Sequence, residues 1–240
     1  MIKDIQSMIW KESKSLFRRK ASRSNLLRII SAPAMLALVF PITWGSDWVE
    51  DFPALIISFI APAILVGVLI PDSFAGERER HTLETLLASR LPDQAILLGK
   101  MVPPVLIGWF SGLLFPLLSL IIVNIAHGEG ELLLYNPTIT FGILTLSFLS
   151  SSVMAGGGVL TSQRSETVQD SIQKLMTFIL VPATLVLVVP LLFREQVLSL
   201  IVGLEGQQVL VVSVLFLLIL DVILWILAFA RFQRSKMNLD

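Results

Sequence analysis

Side chains that hold, move or accept protons are scarce in this chain. Cysteine is absent, which removes disulfides, thiolate metal ligation and a cysteine nucleophile. His81 and His127 are the only histidines and Tyr135 is the only tyrosine, so general acid–base catalysis has little to draw on. His81 has no second histidine or thiolate near it in sequence and reads as a solvated or partner-contacting loop residue, not a metal ligand. The residues of a membrane-embedded protease are missing too: there is no H-E-x-x-H, no aspartate pair and no Ser–His pair within an apolar run. Gly99–Lys100 is followed by Met101 and lacks the upstream glycine of a phosphate-cradling G-x-x-x-x-G-K-[ST] loop. Any energy drawn from ATP must therefore come from another chain.

Two acidic features remain. Glu77, Glu79 and Glu84 lie close together, but Arg78 and Arg80 are interleaved with them, so the sequence predicts exposed ion pairs, not a catalytic carboxylate cluster. Asp221 is the one acidic residue deep within an apolar run. An ionisable residue at that depth costs about 2.5–3.5 kcal/mol on insertion scales and faces the interior of a bundle. Asp221 either handles substrate or protons, or is protonated or hydrogen-bonded to a neighbouring helix and fixes packing.

The elements that must position these residues are set by hydropathy. Of 240 residues, 55% are hydrophobic and 15% charged, against about 25% charged in a soluble domain. Lipid must be part of this chain's solvent. Apolar stretches at Leu26–Trp44, Phe52–Ile70, Met101–Ala126, Thr138–Leu160, Leu175–Phe193 and Val209–Ala230 each suit a hydrocarbon core of about 30 Å. They must be helices, because unpaired backbone groups are not tolerated in lipid. The expected fold class is therefore all-α: a single polytopic transmembrane domain over residues 1–240, with six transmembrane helices. Prolines within the stretches, and Gly156, Gly157 and Gly158 in the fourth, predict kinks and close helix contacts. Every lysine and arginine but Arg194 falls on one side of this topology, counting Arg28 as snorkelling to that side. Both termini are thus expected in the cytoplasm.

Residues 1–25 do not read as a tail. Ile2, Ile5, Ile9 and Leu16 recur at helical spacing, with Lys3, Lys11, Lys14 and Arg18 on other faces. This predicts an amphipathic helix in the membrane interface; the simpler alternative is a positively charged leader that only sets topology. The outer connection from Pro190 to Gly206 reads as a short re-entrant or interfacial helix. Between the second and third stretches, residues 71–100 form the longest cytosolic loop, with Glu77–Arg80 at the membrane exit. A short helix over TLETLLAS follows, with Leu83, Leu86 and Leu87 on one face. Pro92 or Asp93 starts the next helix. A leucine face on two cytosolic turns has no core of its own, and a soluble partner is its simplest cover.

That loop, FAGERERHTLETLLASRLPDQAILLGK, resembles the signature loop of ABC-2 type transporter permeases, usually near F-x-x-E-x-E-x-G-T-L-E-x-L-L-x-(S/T)-P-(L/I) and closing on L-x-G-K. Phe74, Glu77, Glu79, Thr82, Leu83, Glu84, Leu86, Leu87, Leu98, Gly99 and Lys100 match, while His81 stands where glycine is usual and Arg90 replaces the common proline. Lys11–Glu12 followed by Phe17–Arg18–Arg19 is similar to the family's amphipathic N-terminal helix. The resemblance implies a permease subunit of an exporter in a prokaryotic plasma (inner) membrane. Its partners would be a cytosolic ABC ATPase, a second permease copy or homologue, and membrane lipid, but no nucleic acid. It implies no cofactor or metal on this chain, with ATP and Mg on the partner. A cytosolic coupling helix, with Glu77, Arg78, Glu79, Arg80, Thr82, Leu83, Glu84, Leu86 and Leu87 around it, would engage the ATPase. A haem-exporter-like membrane subunit and a non-transporting scaffold are the alternatives.

Overall fold

The computed structural model describes residues 2–18, 20–50, 53–82, 90–128, 130–178 and 206–232. Among these the elements are α1 (Ile2–Arg18), α2 (Lys20–Trp44), the single turn α3 (Asp47–Glu50), α4 (Pro53–Glu79), α5 (Asp93–His127), α6 (Pro137–Ser162), α7 (residues 168–178) and α8 (Gly206–Arg231), with no strand. Among the described residues four helices are long and apolar enough to cross a membrane: α4, α5, α6 and Gln207–Arg231 of α8. α2 holds a shorter apolar segment, Pro33–Trp44. Of the expected fifth span only residues 175–178 are described, in α7. Residues 83–89 of the leucine-faced helix expected over 82–89, residues 190–205 of the expected outer segment, and the side chains of Phe17, Arg18 and Arg28 lie outside the description.

The expected loop is shorter in the structure. α4 runs on through Glu79 with Pro62 and Pro71 inside it, and α5 begins at Asp93. Proline removes one ladder bond but need not end a helix that neighbours re-satisfy. The same repair is visible in α2. Pro41 cannot donate to Ala37 O, and Ser119 Oγ from α5 donates to that carbonyl instead, at 2.9 Å.

α6 sits at the centre, packed on α4, α5 and α8. Small residues let the backbones approach, as expected where apolar burial alone gives no drive for helices to associate. A Cβ added to Gly158 would lie 2.8 Å from Ile70 Cγ2 of α4, and one on Gly156 would lie 2.9 Å from Leu224 Cβ of α8. On α5, a Cβ at Gly112 would meet Ser147 Cβ at 2.5 Å and Pro62 Cγ at 2.6 Å. Larger residues at these sites would push apart the helices that the apolar pattern brings together.

The end of the bundle holding α3 is closed by polar locks. Asn124 donates to Leu133 O at 2.9 Å and accepts from Leu133 N at 2.8 Å. Asn136 caps α6 by accepting from Thr138 N at 3.1 Å, with Pro137 in the first turn. Tyr135 donates to Pro116 O at 2.9 Å. Burial pushes the Tyr135 phenol up to about 12 from 10.0, because the charged phenolate is disfavoured away from water. A raised acid pKa favours the neutral, folded form, so this stabilisation is complete below pH 10 and is lost as pH rises toward 12. As the sole tyrosine, Tyr135 gives an uncontaminated phenolate signal. Difference absorbance should place its midpoint near pH 12 in the folded protein and near 10 after denaturation; a folded midpoint near 10 would mean that the ring is not enclosed.

Candidate functional site

At the opposite end, three helices meet on buried charges. Glu77, in the last turns of α4, places Oε2 at 2.8 Å from Lys100 Nζ, in the second turn of α5. Lys100 has no exposed surface and Glu77 is 6% exposed. The ammonium also donates to Ser73 O at 2.5 Å and lies 5.1 Å from the centre of the Phe74 ring. Ser73 Oγ in turn donates to Glu12 Oε1, bringing in α1 through a carboxylate that is 2% exposed. Glu12 shares the inner stripe of α1 with Met8 and Leu16, both buried. Gly99 lets α1 come this close, since any Cβ there would collide with Met8.

This corrects two expectations. Glu77 does not form an exposed ion pair; its place in the helix, not in a loop, turns it inward onto Lys100. The N-terminal helix also does not give all its apolar side to lipid. Its Met8–Glu12–Leu16 stripe packs on the protein, Ile5 and Ile9 are half-buried, and Ile2 and Lys11 are exposed. Sequence reasoning named Lys100 only as a match to the signature loop, without a role at the site, and missed Ser73. The available signal was a lysine set directly against the apolar run that begins at Met101, a place where a buried cation needs a carboxylate.

The next residues point elsewhere. Arg78 donates to Ser165 O at 2.7 Å and to Gln163 O at 3.3 Å, beyond the end of α6. Glu79 Oε2 accepts from Val168 N at 3.3 Å, at the start of α7. Arg80 is exposed and pairs with Asp72 at 3.4 Å. α4 then ends in a Schellman arrangement, with Thr82 N donating to Glu77 O and His81 N donating to Arg78 O, both at 2.9 Å. His81 occupies its left-handed position, at φ +54°. That explains why glycine suits the place in the resembling motif: a Cβ is strained there. The run Glu77–Arg78–Glu79–Arg80–His81 is thus bound residue by residue, while Leu83, Glu84, Leu86 and Leu87 fall outside the description.

Asp221 stands apart from this joint, on α8. Ser152 Oγ of α6 donates to Asp221 Oδ2 at 2.9 Å and accepts from Trp225 Nε1 at 2.8 Å. Phe148, Trp225 and Phe229 line the apolar cleft of about 630 Å³ beside it. The geometry is that of a polar pin between α6 and α8, and among the described residues no other carboxylate lines that cleft.

Removing one partner of a buried ion pair strands the other. Lys100→Met should cost about 3–5 kcal/mol of unfolding free energy. Adding Glu77→Met should recover much of that loss, because a double-mutant cycle reports the pair itself; a cycle with no coupling would show that the two charges do not meet. His81→Gly should raise stability by about 1 kcal/mol, since it relieves the left-handed strain. A midpoint unchanged or lowered on thermal unfolding would contradict the Schellman geometry.

No curated protein matches the chain. The sequence profile described as ABC-2 type transporter matches residues 3–190, from the second residue of α1 past the last described residue of α7. That region holds every residue of the buried joint and most of the bundle around it, and the chain belongs to the ABC-2 type transporter family.

Proposed function

We propose that this chain is the permease subunit of an exporter, driven by a separate cytosolic ABC ATPase through the segment between α4 and α5. The observation that carries this reading is the Glu77–Lys100 pair. It fastens together, on buried side chains, the two helices that flank the segment. A push on residues 80–92 is therefore delivered to α4 and α5 together, and through Ser73 and Glu12 to α1. Two buried, paired charges form a stiff joint, because moving either alone leaves an uncompensated charge.

The remaining assignments follow from the family and the charge pattern. Two permease copies, or this chain beside a homologue, enclose the pathway in a prokaryotic plasma membrane. The end holding α1 and the joint faces the cytoplasm, since the basic residues gather there. Lys3, Lys11 and Lys14 on the exposed side of α1 meet anionic headgroups. ATP and Mg are held by the partner, and this chain supplies the leucine face of residues 82–89 as the docking surface.

The test is whether the partner's ATP hydrolysis responds to that face. Leu83→Ala with Leu86→Ala should reduce permease-dependent ATPase activity at least tenfold, the equivalent of about 1.4 kcal/mol of lost docking energy. A pure scaffold would leave the rate unchanged. Labelling of residues 82–89 from the outer side of intact cells would defeat the reading outright.

A further inference from the structure

We infer that Arg78 and Glu79 are positioning residues that carry displacement of the α4–α5 segment into α6 and α7. The inference rests on the coupling reading and extends it to a second pair of helices. The two residues are adjacent in the last turn of α4, yet each is bound to a different helix end. Arg78 spans three carbonyls at and just past the end of α6, those of Ser162, Gln163 and Ser165, with Nη1 at 3.5, 3.3 and 2.7 Å and Nη2 reaching Gln163 O at 3.3 Å. Glu79 holds the first amide of α7 at Val168.

The charges suit the places they occupy. A helix C-terminus presents unsatisfied carbonyls and partial negative charge, which a guanidinium complements; an N-terminus presents free N–H groups and partial positive charge, which a carboxylate complements. Exchanging the two residues would set each against a like charge. Between α6 and α7 lie only residues 163–167, so one dipeptide of α4 grips both sides of a short break in the chain. The break is further laced by Ser162 Oγ with Ser171 Oγ at 2.8 Å, and by Lys174 Nζ donating to Arg164 O at 3.1 Å. A tilt or rotation of the last turn of α4 must therefore pull on α6 and α7 together. The Glu77–Lys100 joint by itself ties together only α1, α4 and α5 and has no bond to α7.

The chain has no native cysteine, so spin labels can be placed without background. In the complex with its ATPase subunit, label pair Phe110→Cys with Phe178→Cys reports α5 against α7. Pair Trp10→Cys with Leu106→Cys reports α1 against α5; all four side chains are exposed. Distances are compared without nucleotide and with ATP plus vanadate. The Trp10–Leu106 distance should hold with and without nucleotide in every form, because the joint moves α1 and α5 as one. In the otherwise unsubstituted protein the Phe110–Phe178 distance should also change little, because α7 is carried along with α4 and α5. In Arg78→Gln with Glu79→Gln that distance should change on adding nucleotide, as α5 moves and α7 lags. Glu79→Gln alone, at an exposed position with little bearing on folding, should already show most of that change. An α5–α7 distance that is as constant in these variants as in the unsubstituted complex overturns the inference, and so does one that already changes in the unsubstituted complex. A change in the α1–α5 distance in the variants, which would mean a general defect, overturns it too. A single label at the exposed Arg90→Cys reports the segment itself: if its mobility does not respond to nucleotide in the unsubstituted complex, the coupling reading itself has failed.

Discussion

A charged ammonium group with no exposed surface is the constraint around which one end of this protein is organised. Taking such a charge out of water costs several kcal/mol unless a carboxylate and further acceptors meet it. Lys100 obtains them from α4, in the Glu77 carboxylate and the Ser73 carbonyl, and Phe74 supplies a ring face beside it. Ser73 is thereby committed twice, since its hydroxyl also holds Glu12. The position of α1 follows from that bond and from Gly99, where the absence of a side chain admits Met8. Remove the charge from Lys100 and α4 loses one of the partners that hold its last turns, alongside the contacts of Arg78 and Glu79.

The hydrocarbon core imposes a different logic on the rest. Helices in lipid gain little from burying apolar surface against one another, and so the contacts here are made by shape and by hydrogen bonds. Gly112, Gly156 and Gly158 supply close approach. Ser119 supplies the donor that Pro41 withholds from α2, and Ser152 pins α8 to α6. Serine is suited to this work: it is small enough for a tight interface and carries a hydroxyl that rotates to suit its partner.

Much of this architecture was legible in the sequence because hydropathy and helix length are one-dimensional signals. The long apolar runs became α4, α5, α6 and α8, and the start of α5 beside Pro92 was visible in the proline and the aspartate that follows it. The end of α4 was not. Pro71 and the polar run after it read as an exit into solvent, whereas the structure keeps the helix through Glu79. The partners decide this, and they lie far off in sequence: Lys100 on α5, the carbonyls after α6 and the first amide of α7. No local pattern contains that information. His81 was noticed as a departure from the usual glycine, but only its left-handed backbone gives the reason. For Asp221 the sequence left two readings open, and the bond to Ser152 supplies the packing partner that one of them required.

α8 leans chiefly on α6 among the described elements, with Leu224 and Ala228 turned inward and Phe216, Ile219, Val222 and Ile226 turned out. Two kinds of selection therefore act along a single helix. On the outward side no described neighbour fixes the size of Phe216, Ile219, Val222 or Ile226. On the narrow inward line, opposite Gly156 and Ser152, size and hydrogen bonding are both fixed, and drift is halted by fit alone.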